Sequence, residues 1–391
     1  MTCQQEISLT NYFYFCLQIS MILLKIVLSA KRMNKKILWV MGAKDYKDTG
    51  LGNYSLLYIH ALESRGFQIH QHWIPYNLRS ARRLFYKFFI LPIVLFSKSK
   101  DYNWVVLWVE DYAFLYPFIR TNKVLIVHIV TQNTSYKRLL REKIYLFLEK
   151  KNISKFKTIV AVSNYVKNQL IENQYITSQE QCKTIYNPIY LAKYKAPPSL
   201  SKKELFKKYQ IPLLSQTQYL LYVGSEQTRK NVITLLKLMS FLKDKKYYFI
   251  KLGPAAREEN RKIHLDYIQA EQLQNIKLID QIQKEDIANF YKYSNIYVYP
   301  SLFEGFGRTP IEAQASGLPV ISTKGGALQE VLGDSALIIQ HPVDINEWIA
   351  AISQMEQTET RETFIQKGYE NAERFSIEGG IQEWEKLLNQ D

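Results

Sequence analysis

Cysteine is scarce in this 391-residue chain: Cys3, Cys16 and Cys182 are the only three. An odd number, two of them close to the N-terminus, implies no disulfide framework, and a reducing compartment fits. Metal-ligand patterns are missing too, with no Asp-x-Asp and no His/Cys cluster. No internal repeat or low-complexity tract stands out. No nucleic-acid recognition motif or stacked aromatic platform accompanies the positive charge, so nucleic acid is not an expected partner. Basic residues follow the first apolar run instead of preceding it, which argues against a cleaved signal peptide.

What the chain has is enough apolar material for two cores, at 47% hydrophobic residues, and a repeated alternation of strand-like and helix-like runs. The expected class is therefore α/β, with two doubly wound parallel-sheet lobes. The linker is expected near residues 194–208, where Ala196-Pro197-Pro198-Ser199 and a lysine cluster break the pattern. Charge divides unevenly. Residues 1–200 hold 28 Lys and Arg against 11 Asp and Glu, a balance of +17, and residues 201–391 hold 23 against 25, or −2.

The richest segment runs from Ser301 through Phe303-Glu304-Gly305-Phe306-Gly307-Arg308-Thr309-Pro310 to Glu312 and Ala313, directly after the apolar run Ile296–Tyr299. Strand, glycine turn and helix start are how α/β proteins bring unpaired N–H groups and side chains to one point at the carboxyl end of a sheet. A purely local reading also exists for Glu312. Thr309, Pro310 and Glu312 spell an N-cap, first helical residue and N3, a Thr-x-x-Glu capping box. Glu304 has no such local duty.

Residues 295–332, NIYVYPSLFEGFGRTPIEAQASGLPVISTKGGALQEVL, resemble the donor-site signature of the retaining glycosyltransferases of family 4, which have the GT-B fold. The E-x7-E pair, the Gly-x-Pro-Val lead-in and a Gly-Gly followed by Glu330 occur in order. The resemblance extends over nearly all of residues 33–391. Residues 36–41 (KILWVM) read as a buried first strand, and Thr49-Gly50-Leu51-Gly52-Asn53-Tyr54 as a glycine loop before a helix over 55–62. A short strand over 124–127 ends at His128, where the family often carries a cleft histidine, although Ile129 replaces its frequent aspartate. Residues 159–170 and 184–189 match further landmarks, and Asn187-Pro188 is a plain turn. Residues 218–224 (QYLLYVG) open the second lobe, followed by Arg229, Lys230 and a helix over 232–242; Ser225 stands where many relatives have arginine.

The resemblance implies a site. Arg229 and Lys230 face the donor's diphosphate, and either can instead be read as a solvated charge at a helix start. Fixed cations and a helix N-terminus suit the charge that gathers on a leaving nucleoside diphosphate, so no metal and no cofactor beyond the nucleotide sugar are expected. Gly50 and Gly52 allow close backbone approach to the donor. Glu312 holds ribose hydroxyls, and Glu304 with His128 serves the chemistry at the sugar. The N–H groups around Gly305, Phe306 and Gly307 hold sugar oxygens, and residues 276–282 lie beside the base. A two-carboxylate hydrolase is the rival chemistry, against which the cation pair argues.

The implied architecture is GT-B: a doubtful extension or anchor over 1–32, an acceptor lobe over 33–200, a donor lobe over 201–374 and a crossover helix in 375–391, with the ligand in an interdomain cleft. The implied function is transfer of a sugar from a nucleotide sugar to a glycan or lipid-linked acceptor in cell-surface polysaccharide or glycolipid synthesis. The alternatives are a non-catalytic glycan-binding or partner subunit and a nucleotide-sugar epimerase on the same fold. The basic, aromatic segment carrying Arg79, Arg82, Arg83 and Lys87 suits an anionic membrane surface. Its other reading is a partly buried helix with a solvated basic end. Residues 12–30 are about long enough to span a bilayer, with Lys31, Arg32, Lys35 and Lys36 after them. An anchor there would leave the catalytic lobes in the cytoplasm; translation starting at Met33 gives the same side without an anchor. The expected location is cytoplasmic, peripheral at the inner face of the plasma membrane.

Overall fold

The computed structural model describes residues 35–77, 80–130, 149–242, 246–255 and 257–390. Twelve short strands form two six-stranded sheets. The first takes β1 Lys36–Ala43, β2 Gln68–Ile74, β3 Trp104–Leu107, β4 Asn122–Val127, β5 Thr158–Ala161 and β6 Cys182–Thr184, in the order β2-β1-β3-β4-β5-β6. The second takes β7 Gln218–Val223, β8 Tyr247–Leu252, β9 Ile276–Ile279, β10 Ile296–Tyr299, β11 Val320–Thr323 and β12 Leu337–Ile339, ordered β12-β11-β10-β7-β8-β9.

Composition explains the pairing. Every β1 residue after Lys36 is buried, as is every residue of β3, β8, β10 and β11. Strands covered on both faces read as continuous apolar runs and pair in parallel through helical crossovers. In the second sheet the chain leaves β7 through β8 and β9, then returns to the other side of β7 with β10. β7 and β10 are hydrogen-bonded neighbours that diverge in chain order, the place where doubly wound sheets bind ligands at their carboxyl ends. In the first sheet β1 and β3 stand in the same relation.

Strand bounds match the sequence expectation closely, and the first helix does not. The expected glycine loop over Thr49–Tyr54 is already helical: Gly50 and Gly52 lie in the first turn of the helix Gly50–Glu63, and the Thr49 hydroxyl accepts the Gly52 N–H at 3.3 Å. Ser163 caps the helix Asn164–Glu172 in the same way, accepting from the Val166 N–H at 3.1 Å.

The described residues of 1–126, 138–159 and 381–391 cluster as one compact unit and those of 127–137 and 160–380 as another. In the first unit the end of the helix Ile377–Leu388 docks by apolar and polar contact. Trp384 lies 5.1 Å from Trp39 between ring centroids, and the Leu388 carbonyl accepts from Trp104 Nε1 at 3.0 Å and Lys35 Nζ at 2.9 Å.

The basic, aromatic segment divides. Ala81–Phe85 is α-helical, Tyr86–Ile90 makes a π turn and Leu91–Lys98 returns to α-helix. Lys87 is buried, contrary to its expected role at a lipid surface. Its ammonium lies 3.6 Å from Asp111 and 4.6 Å from the centre of the Tyr112 ring. Burial draws its pKa below the usual lysine range, opposed by Asp111. A charge buried and paired in this way is not available to phosphate headgroups. Arg79 and residues 1–32 lie outside the described residues.

Candidate functional site

Three carboxyl-terminal strand ends meet at the switch point of the second sheet. The turn after β10 is fastened to the loop after β7: the Leu302 N–H donates to the Arg229 carbonyl at 2.8 Å, and Asn231 Nδ2 donates to the Pro300 carbonyl at 3.3 Å. Asn231 adopts φ 53°, the left-handed conformation that asparagine tolerates better than most residues, and from there starts the helix Val232–Phe241. The loop after β11 approaches from the other side. Gly326, at φ 67°, leaves room for the Glu304 carbonyl, which would lie 2.2 Å from a Cβ and which accepts the Ala327 N–H at 2.9 Å.

Glu304 sits at the centre, buried, with four donors. Oε2 accepts from Arg229 Nη1 at 2.9 Å, and Oε1 accepts from Lys230 Nζ, from the Tyr299 hydroxyl at 2.7 Å and from the Ser301 hydroxyl at 2.7 Å. Burial pushes its pKa up, but Lys230 and Arg229 outweigh burial and hold the carboxyl down at about 2. Lys230 is shifted downward by burial, with Glu304 opposing. Arg229 also donates to the Phe303 carbonyl at 2.8 Å. Glu304 therefore does have a local duty: it orients two cations. Arg229 and Lys230, which the sequence also allows as solvated helix-start charges, are both tied to one buried carboxylate, Lys230 largely buried and Arg229 more exposed.

Glu312 is held differently. The helix Arg308–Ala315 starts after Gly307, which occupies the N-cap at φ 92°, and no side chain caps it. The expected capping box is absent because glycine's left-handed conformation sets the helix start two residues ahead of Thr309. Glu312 instead pairs with Arg308 at 3.3 Å and accepts from the Tyr291 hydroxyl at 3.2 Å, while Arg308 donates to Asn187 Oδ1 at 3.0 Å.

Gly305 is the tightest point. A Cβ there would lie 1.9 Å from the His128 carbonyl oxygen, and its own carbonyl accepts from the Ser163 hydroxyl at 2.7 Å. His128 itself is buried at the end of β4. The Phe306 ring is buried against Phe375, centroids 5.2 Å apart, so this residue can offer a ligand only its backbone. Gly305→Ala is expected to lower stability by roughly 1–3 kcal/mol, because a backbone carbonyl cannot swing aside. Gly379→Ala, in a helix with open space around it, is expected to raise it by up to about 1 kcal/mol. Thermal unfolding of the two variants should show melting shifts of opposite sign.

The residues thus brought together are Arg229, Lys230, Glu304, Gly305 and His128, with Phe306 and Gly307 in the same turn and Glu312 on the helix that follows. Gly50 and Gly52 belong to the first unit, after β1. Sequence reasoning passed over Tyr299 and Ser301, and it named Glu330 without a role. Glu330 accepts the Asn164 and Tyr165 N–H groups at 2.8 and 2.7 Å, completing the helix start that Ser163 caps. It also missed an ionic cluster at the ends of β7, β8 and β9. Lys251 Nζ lies 2.6 Å from Glu226, and Arg261 bridges Glu226 and Asp280. The signal was available, since a lysine inside the buried strand YYFIKL requires a partner. Among the described residues no group of three or more His, Cys, Asp or Glu side chains forms a metal-binding cluster.

The O-antigen chain mannosyltransferase B of Escherichia coli is 28% identical over 233 residues, 57% of this chain and 58% of that protein. The capsular polysaccharide biosynthesis glycosyltransferase CapM of Staphylococcus aureus is 29% identical over 240 residues, 59% of this chain and 61% of that protein. The chain thus spans about three fifths of the length of these curated relatives. Among solved structures, Anabaena HepE in complex with UDP and glucose superposes with a TM-score of 0.73 at 17% identity, covering 92% of this chain and 100% of that one. The two doubly wound sheets are those of the GT-B fold, and residues 202–371, which contain Arg229, Lys230, Glu304 and Glu312, match the family described as Glycosyl transferases group 1.

Proposed function

We propose that the protein is a retaining, metal-independent glycosyltransferase of family 4 that moves a hexose from a nucleotide diphosphate sugar onto a glycan or lipid-linked acceptor in cell-surface polysaccharide or glycolipid synthesis. The observation that carries this reading is the pairing of Arg229 and Lys230 with buried Glu304 at the switch point of the second sheet. Two cations fixed at the start of a helix suit a leaving diphosphate, whose oxygens gain charge as the glycosidic bond loosens. An anionic Glu304 beside them suits the positive charge that develops on the sugar ring.

In this reading Glu312 holds the ribose hydroxyls, Gly50 and Gly52 admit the donor backbone-close, and the N–H groups of residues 305–307 hold sugar oxygens. Residues 33–200 bind acceptor, 201–374 bind donor, and 375–391 form the crossover helix. The protein works in the cytoplasm at the inner face of the membrane, drawn there by the excess of basic residues in its first 200 positions. The E. coli relative's mannose and the glucose bound by HepE are the first sugars to try.

The test is transfer and donor hydrolysis with a panel of nucleoside diphosphate mannoses and glucoses. Glu312→Ala is expected to raise the donor KM roughly 10- to 100-fold with a smaller change in kcat, the value of hydrogen bonds to a charged group. Unchanged donor KM would remove Glu312 from the site. Binding of a glycan with no affinity for any nucleoside diphosphate would favour a partner subunit, and turnover of the nucleotide sugar without acceptor would favour an epimerase.

A further inference from the structure

The helical run over 81–98 has two chemically different sides. Leu91 and Leu95 are fully buried, and Lys87 is turned inward to Asp111 within the π turn Tyr86–Ile90. On the other side Phe85, Phe89, Ile93 and Phe96 are exposed by 59%, 61%, 67% and 53%. Their spacing of four, four and three places them on one face. The Phe85 and Phe89 rings stack with centroids 5.1 Å apart, and Leu84 and Phe88 extend the apolar surface. Exposed apolar patches of this kind on a folded protein mark interaction sites.

The surroundings say what covers it. From Ser64 to Lys100 the sequence has no Asp or Glu and seven Lys or Arg. Exposed Arg82 stands at one end of the face and exposed Lys98 and Lys100 at the other, with the Arg120 guanidinium 5.0 Å from the centre of the Phe96 ring. Exposed Asp101 follows Lys100, and Asp111 packs on the inward-turned Lys87; the aromatic residues themselves are rimmed by cations, which complement the anionic headgroups and upper acyl chains of a bilayer. Among the described residues no helix is long and apolar enough to cross a membrane, so contact through this run is in the interfacial plane.

We propose that Phe85, Phe89, Ile93 and Phe96 insert into the surface of an anionic lipid bilayer, with Arg82, Lys98 and Lys100 on the phosphates, and that the π turn sets this face by directing Lys87 into the protein. This deepens the membrane side of the proposed function, and it moves the main contact from the basic residues expected there to the apolar side chains between them. It rests on that reading only for location; lipid binding is measured without donor or acceptor, so failure of sugar transfer and failure of insertion are separable.

The experiment is co-flotation of the full chain with vesicles of phosphatidylcholine alone or mixed with phosphatidylglycerol. The triple variant Phe85→Ser, Phe89→Ser, Ile93→Ser is expected to bind mixed vesicles at least roughly tenfold more weakly, with unchanged melting temperature and unchanged nucleoside diphosphate binding, since those side chains face solvent. Arg82→Gln with Lys98→Gln should weaken binding to mixed vesicles alone, most at low salt. Lys87→Met should leave the salt dependence unaltered, whatever it does to stability. Undiminished vesicle binding by the triple variant overturns the proposal and points to residues 1–34 or another surface. A triple variant that loses self-association while keeping vesicle binding also overturns it, making the face a contact between copies of the chain.

Discussion

Replacing Glu304 by glutamine is expected to lower sugar transfer by about 10²–10³-fold, the usual effect of disabling one preorganised electrostatic element. The amide is nearly isosteric, so shape survives and charge does not. Arg229 and Lys230 then face each other with no carboxylate between them, and a buried ion group stripped of one member loses roughly 3–5 kcal/mol of stability at neutral pH. The pH dependence separates this from a packing effect. Glu304 is depressed to about 2 from an ordinary 4.5, so its contribution is complete above pH 4.5 and is lost as pH falls through 4.5 toward 2. That contribution is roughly 3 kcal/mol by linkage. Urea titrations across that range should therefore show the gap between native and Glu304→Gln narrowing as the solution becomes acidic. A gap independent of pH would mean that the carboxylate's charge is not what matters.

Lys230→Met should have a comparable effect on the donor. Methionine fills the space of the lysine stem but leaves Tyr299 and Glu304 without their ammonium partner. Affinity for a nucleoside diphosphate is expected to fall roughly 100-fold, and kcat and kcat/KM should fall together if the contact tightens as the diphosphate leaves. Affinity for the nucleoside itself, which has no phosphate, should stay close to native. Arg229→Gln should cost less, because Arg229 is the more exposed of the two and also serves the Phe303 carbonyl. Equal losses for diphosphate and nucleoside would assign Lys230 a structural role.

Much of this was legible in the sequence because it is local. The run Ile296–Tyr299 followed by Glu304-Gly305-Phe306-Gly307 announces strand, turn and helix within a dozen residues, and the strand bounds came out unchanged. Ser163 before an amphipathic run announces its helix equally well. What was not legible depends on partners distant in the chain. Lys230 and Glu304 were both recognisable, yet nothing periodic says that they touch across β7 and β10. Glu226, Lys251, Arg261 and Asp280 gather from four elements. Two local signals were overridden. The Thr309 capping box lost to Gly307, whose left-handed conformation starts the helix earlier, and the π turn at Tyr86–Ile90 turned inward a lysine that a basic stripe would place outside.

In the proposed function, Arg229, Lys230 and Glu304 form the diphosphate end of a donor site. Calorimetric titration of the native protein and Lys230→Met with uridine, guanosine, adenosine and thymidine diphosphates tests it most directly. Saturable binding of at least one of the four to the native protein is expected, with binding roughly 100-fold weaker to the variant. No binding of any nucleoside diphosphate to the native protein, or equal binding by both proteins, would contradict it.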